Sequence, residues 1–194
     1  MKKSTLIAIL VAIVLGFTVM GSYNSLVQAE EDIDSVWANV ESQYQRRADL
    51  IPNLVNTVKG QANFEKETLT NVVEARAKAT QIKIDPANMT EEQLAQFQQQ
   101  QNQVGSTLSR LLATVENYPE LKANEGFLTL QTQLEGTENR INVARNTFNE
   151  AAKVYNKKIR TFPTKLVAML FGFNEKPYFK ADAGAEKAPT VNFN

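Results

Sequence analysis

Residues 90–118, TEEQLAQFQQQQNQVGSTLSRLLATVENY, decide the fold class. Thr90 and Gln93 have the spacing of a capping box, in which the Thr90 oxygen accepts from the Gln93 backbone and the Gln93 side chain reaches back. From there Leu94, Phe97, Val104, Leu108, Leu111, Val115 and Tyr118 recur at steps of three and four, and Gln101 takes one place in the seam. This spacing collects apolar groups on one helical face; a strand, whose side chains alternate faces, cannot do so. The glutamines between Gln93 and Gln103 keep the same period, so the stretch reads as the wet face of a helix rather than a polar zipper. Pro119 closes it.

The pattern repeats downstream. Asn124 suits the cap of a helix whose stripe is Phe127, Leu130, Leu134, Thr137, Ile141, Ala144, Phe148, Ala151 and Tyr155, then Ile159 and Phe162. Upstream, Asp85-Pro86-Ala87-Asn88 reads as a turn. Before it lies a segment opened by Pro52 and running to about Ile84, with Val55, Val58, Ala62, Leu69, Val72, Val73, Ala79 and Ile82 on one side and Gly60 as a weak point. A further segment, Leu26 to about Arg47, carries Leu26, Ile33, Val36, Trp37, Val40 and Tyr44. Long helices with sustained seams pack side by side, and short connections make neighbours antiparallel. The expected fold is all-α, an up-and-down four-helix bundle over 24–162.

Ahead of it, no charged residue occurs from Ser4 through Ala29, and Leu6 to Met20 is nearly all apolar. About 20 such residues cover the roughly 30 Å of bilayer hydrocarbon, so 4–23 is read as a transmembrane signal anchor. A cleavable signal peptide ending at Val27-Gln28-Ala29 is the competing reading. The stripe beginning at Leu26 runs through that point, which favours retention. Lys2 and Lys3 place the amino terminus in the cytoplasm and the bundle outside, by the positive-inside rule. Residues 163–194 form a tail: Thr164 to Phe173 is a short apolar helix, and Tyr178, Phe179, Val191 and Phe193 add apolar groups. It caps the bundle end or touches the membrane through Leu166, Met169, Leu170, Phe171 and Phe173.

Composition removes most chemistry. Among 194 residues there is no cysteine and no histidine, and 21 basic residues balance 21 acidic ones. Thiol nucleophiles, Cys/His zinc sites and imidazole catalysis are excluded. Scattered basic charge leaves no footprint for nucleic acid. Glu135 and Glu138 lie one turn apart, but di-metal sites in bundles need a Glu-x-x-His contribution that this chain lacks. The serines have no hydrolase context and the glycines form no phosphate loop. No cofactor and no catalysis are expected. One polar cluster remains, QYQRRADLIPNLV over 43–55. Arg46 or Arg47 pairing with Asp49 across a helix junction is its structural reading; its functional one is a partner-docking corner formed by Arg46, Arg47, Asp49 and Asn53.

Tyr23-Asn24-Ser25-Leu26-Val27, VWANVE, QYQRRADLIPNLVNTVKG, YPELKANEGF, ENRINVARNTFNEAAKVYN, FPTKLVAMLFGF and KPYF together resemble the LemA family of bacterial membrane proteins along nearly the whole chain. The resemblance implies a helical bundle behind one helix in the cell (inner) membrane, no assigned reaction or cofactor, and association with membrane or envelope proteins, quality-control proteases among them. The expected role is a non-catalytic adaptor or scaffold. The alternative is a bundle that handles lipid or apolar ligands through a slot near Leu166 to Phe173.

Overall fold

Helix α1 (Lys3–Lys59) runs 57 residues without a break, about 86 Å at 1.5 Å per residue. The computed structural model describes residues 3–61 and 64–181. The expected break before Pro52 is therefore corrected: Pro52 lies inside α1. A proline there lacks the N–H that would bond the carbonyl of Ala48, four residues back. Arg76 replaces it, its Nε donating to the Ala48 oxygen at 2.7 Å. Helix α1 ends instead at Lys59, with Gly60, the weak point, in a turn. The stretch expected as one helix from Pro52 to Ile84 is thus shared between the end of α1 and helix α2 (Lys66–Gln81); Ala62, placed in its stripe, lies outside the described residues.

A single 3₁₀ turn, Pro86–Asn88, follows and is capped by the Asp85 side chain. Helix α3 (Glu91–Val115) begins with the complete capping box: Gln93 N donates to Thr90 Oγ1 at 3.2 Å and Thr90 N to Gln93 Oε1 at 3.0 Å. Its whole seam from Leu94 to Val115 is buried, Gln101 included. A short helix α4 (Pro119–Lys122) leads to α5 (Glu125–Arg160), where Asn124 accepts from Phe127 N at 3.0 Å. Helix α6 (Thr164–Phe171) ends at Gly172, whose φ of 79° is the left-handed closing conformation that glycine adopts without steric cost. Beyond it, residues 173–181 carry no regular secondary structure. Every regular element among the described residues is helical.

Helices α1 and α5 are the principal pair. Ser25 meets Lys158, Glu30 meets Tyr155, Trp37 meets Phe148 and Arg47 meets Glu138, so the two run antiparallel. Helix α3 ascends with α1, Phe97 beside Trp37 and Gln101 beside Arg47. Two apolar clusters result. One holds Leu26, Ile33, Trp37, Phe97, Phe148, Tyr155, Val167 and Phe179; the other holds Ile51, Leu54, Val58, Val72, Leu108, Leu111, Phe127 and Leu134. Ahead of both, the residues of α1 from Ser4 to Gly21 are exposed, Phe17 at 72% and Leu10 at 64%. Among the described residues one helix is long and apolar enough to cross a membrane, and the apolar stretch that qualifies it carries no packing within the protein.

Candidate functional site

Arg47 stands between the two clusters. Its side chain is 4% exposed; Nη1 donates to Glu138 Oε1 at 2.9 Å, and Nη2 to Gln101 O at 2.9 Å and Gln101 Oε1 at 2.6 Å. The guanidinium also lies 5.1 Å from the Tyr44 ring centroid. A buried cation is tolerable when its donors are met, and Arg47 has oxygens from both α3 and α5. This explains why Gln101 holds an apolar place in the seam. The pairing with Asp49 is not formed: Asp49 accepts from Gln45 at 2.7 Å. Nor is there a helix junction here, since the segment is interior to α1.

The other three docking candidates do share a surface. Arg46, Asp49 and Asn53 lie on the exposed side of α1 and line a shallow depression with Gln43, Leu50 and Arg140 of α5. Across the helix, a groove of about 530 Å³ runs between α1, α2 and α3, with Glu41, Gln45, Arg76, Lys83 and Gln101 among its lining residues.

A second buried cation lies toward the apolar end of α1. Lys176 Nζ donates to Glu30 Oε1 at 2.9 Å and to the carbonyls of Pro86 and Ala87 at 3.0 and 2.7 Å; its side chain is 2% exposed. It sits 5.4 Å from the Tyr155 ring centroid. Burial pushes the Tyr155 hydroxyl well above its ordinary value, and the nearby Glu30 carboxylate adds to this. Burial likewise raises Asp34 above the usual carboxylate range; Lys176 opposes the shift, while Glu30, Glu31 and Asp85 reinforce it. Among the described residues Asp34 Oδ1 has no hydrogen-bond partner.

Lys176 belongs to an extended strap that is held by side-chain amides. Asn156 Oδ1 accepts from Lys176 N while its Nδ2 donates to Lys176 O, both at 2.8 Å. Asn149 does the same for Phe179, at 2.8 and 3.0 Å, and Gln98 for Lys180, at 3.3 and 2.8 Å. Each amide meets both backbone groups of one residue, as a neighbouring strand would. Phe179 fills the space beside Trp37 and Phe148, under Arg145.

The LemA family matches residues 36–193. The chain belongs to that family. Relatives include Protein LemA of Metamycoplasma hominis, 27% identical over 165 residues and covering 85% of this chain and 72% of that one. Magnetosome protein MamQ 2 of Paramagnetospirillum magneticum is 27% identical over 191 residues, covering 90% and 70%. Magnetosome protein MamQ of Magnetospirillum gryphiswaldense is 28% identical over 179 residues, covering 84% and 66%. The family region contains the Arg47 layer and the strap; the apolar stretch of α1 precedes it.

In this LemA-family chain four of the five membrane-contact candidates, Leu166, Met169, Leu170 and Phe171, face outward, while Phe173 does not. Val167 and Ala168 turn inward, whereas Leu166, Met169, Leu170 and Phe171 are 59%, 73%, 76% and 52% exposed. Phe173 is half-buried against the first cluster, and both it and Phe171 pack on Tyr23, with ring centroids 5.8 and 4.9 Å away. Helix α6 therefore lies beside the point where α1 becomes bare. Phe162, expected in the α5 seam, is 74% exposed at the same end. Val191 and Phe193 lie outside the described residues. Sequence reasoning missed the roles of Glu30, Gln98, Asn149, Asn156 and Lys176. Gln98 and Gln101 depart from the wet face assigned to their neighbours, both being buried. The KPYF motif was a visible signal, but nothing in its spacing names the amides that hold it.

Proposed function

We propose that the chain is a single-pass, non-catalytic adaptor of a bacterial cell membrane, an up-and-down four-helix bundle that presents helix faces to membrane or envelope proteins. The observation that carries this reading is the division of α1: one unbroken helix with its apolar stretch unpacked and the rest built into the core. Nothing breaks between the two parts, so the body is held rigidly to whatever holds the apolar end. Lys2 and Lys3 put that end on the cytoplasmic side and the bundle outside.

Helix α6 serves as a second footing. Its exposed apolar residues sit beside Tyr23, with Lys157, Arg160 and Lys165 nearby in sequence, an arrangement suited to an interface of acyl chains and anionic headgroups. The partner surface is the stripe Arg46, Asp49, Asn53 and Arg140, which is polar, exposed and away from α6. The lipid-handling alternative would need the α6 side chains to line an interior slot; Leu166, Met169 and Leu170 face outward.

Photo-cross-linkers at Arg46 and Asp49 in intact membranes test the adaptor role, and recovery of a protein partner is expected. No cross-linked partner under several mild detergents would overturn it. Flotation with lipid vesicles tests the anchor independently. Protease digestion of the bundle in spheroplasts, before lysis, tests the orientation; cleavage only after lysis would reverse it.

A further inference from the structure

The strap's contacts do not depend on its being part of the same chain. Asn156, Asn149 and Gln98 grip backbone groups of Lys176, Phe179 and Lys180, and two pockets take the side chains: Glu30 with two carbonyls for Lys176, Trp37 and Phe148 for Phe179. This is how a receptor binds a peptide, with the main chain supplying generic affinity and the side chains seated in pockets supplying selectivity. The strap leaves α6 through Gly172, in the left-handed conformation, followed by Phe173 and Asn174 with no regular structure. That short link is where the chain direction can change.

We propose that this groove also receives residues 174–180 of a second copy of the chain, by exchange of straps between neighbours. Exchange replaces each contact with an identical one, so the two arrangements differ only in the link and in the entropy of association. A tethered strap has an effective concentration near the millimolar range. Two chains held in one bilayer by α1 present strap and groove at the same height and in the same orientation, which reduces that disadvantage as surface density rises. The inference rests on the anchor reading for this enrichment alone. A second copy is the favoured occupant because its segment is the one whose fit the structure displays.

Glu91 and Lys180 form an ion pair at the groove rim, their side chains 65% and 71% exposed, and the chain has no cysteine to compete with introduced ones. Full-length Glu91→Cys and Lys180→Cys chains are mixed in phosphatidylethanolamine–phosphatidylglycerol vesicles and treated with a short bis-maleimide. A mixed dimer is expected, exceeding by more than about tenfold that from Glu91→Cys with Lys122→Cys, and increasing with protein density. The double variant Glu91→Cys/Lys180→Cys reports the resident arrangement by cross-linking within one chain in dilute vesicles. If it does so at every density while the mixed single variants never exceed the Lys122→Cys control, exchange does not occur. An excess of a peptide of residues 172–181 is expected to compete the mixed dimer away, since it offers the same strap in trans; a mixed dimer undiminished by the peptide would place the cross-link outside the groove and would equally overturn exchange. Flotation of the same vesicles reads the anchor separately, so vesicle-bound protein without mixed dimer sinks the exchange and leaves the anchor standing.

Discussion

At the scale of single residues, polar groups in this chain are placed to answer other groups left short. Pro52 deprives the Ala48 carbonyl of a donor and Arg76 supplies one. Arg76→Ala is expected to cost about 1–2 kcal/mol, the loss of a charged hydrogen bond to a carbonyl that has no helical partner. Pro52→Ala restores an N–H to the helix, so in that background the Arg76→Ala cost should fall by about 1 kcal/mol, a coupling readable in a double-mutant urea series. Additive losses would show that Arg76 acts elsewhere. Asp34 presents the opposite case, a carboxylate whose charge is disfavoured by burial. Because its folded pKa is raised, the folded state holds the proton more readily, and stability falls as pH rises from the ordinary carboxylate value through the raised one. Asp34→Asn should therefore raise the melting temperature at neutral pH and flatten that part of the pH profile. A lower melting temperature at neutral pH would mean that the attraction of Lys176 outweighs the desolvation.

At the scale of elements, the starts of α3 and α5 were readable because caps are local: Thr90, Gln93 and Asn124 act within one turn of themselves. The end of α1 was not. Pro52 is normally a boundary signal, and the side chain that cancels it lies on another helix, 24 residues away, where no periodicity points to it. The strap was illegible for a related reason. An extended segment bound by amides from α3 and α5 leaves neither an apolar alternation nor a helical stripe, and Gln98 reads as solvated until Lys180 is placed against it. Arg47, Gln101 and Glu138 add a polar layer between two apolar clusters, where a shift of one helix by a turn would strand a buried guanidinium; the layer thus opposes register slips. Helix α6 carries its own prediction. Met169→Cys labelled with an environment-sensitive dye should brighten in vesicles and be quenched by lipid-borne nitroxides, since Met169 is 73% exposed on the apolar side. Quenching by aqueous ions alone would remove α6 from the membrane surface.

At the scale of the whole molecule, α1 joins an unpacked apolar stretch to a packed one, and the place where the one gives way to the other argues against processing. Leu26 and Ala29 are 0% and 3% exposed, and the Ser25 carbonyl accepts from Lys158 Nζ at 3.2 Å, all at or before the small-residue site at Val27-Gln28-Ala29. A peptidase needs an extended, accessible stretch, whereas this one is helical and packed against α5. Removing residues up to Ala29 would also strip Leu26 from the first apolar cluster and Tyr23 from the rings of Phe171 and Phe173. Leu26→Ala in the full-length chain is accordingly expected to cost about 2–4 kcal/mol, the range for a large buried aliphatic side chain, although Leu26 lies only three residues beyond Tyr23. Intact-mass measurement of protein extracted from membranes should show Ser4 to Ala29 still attached. A mature chain beginning at Glu30, with stability unaltered by Leu26→Ala, would mean that the body is complete without its rod, and α1 would then be a leader and not an anchor.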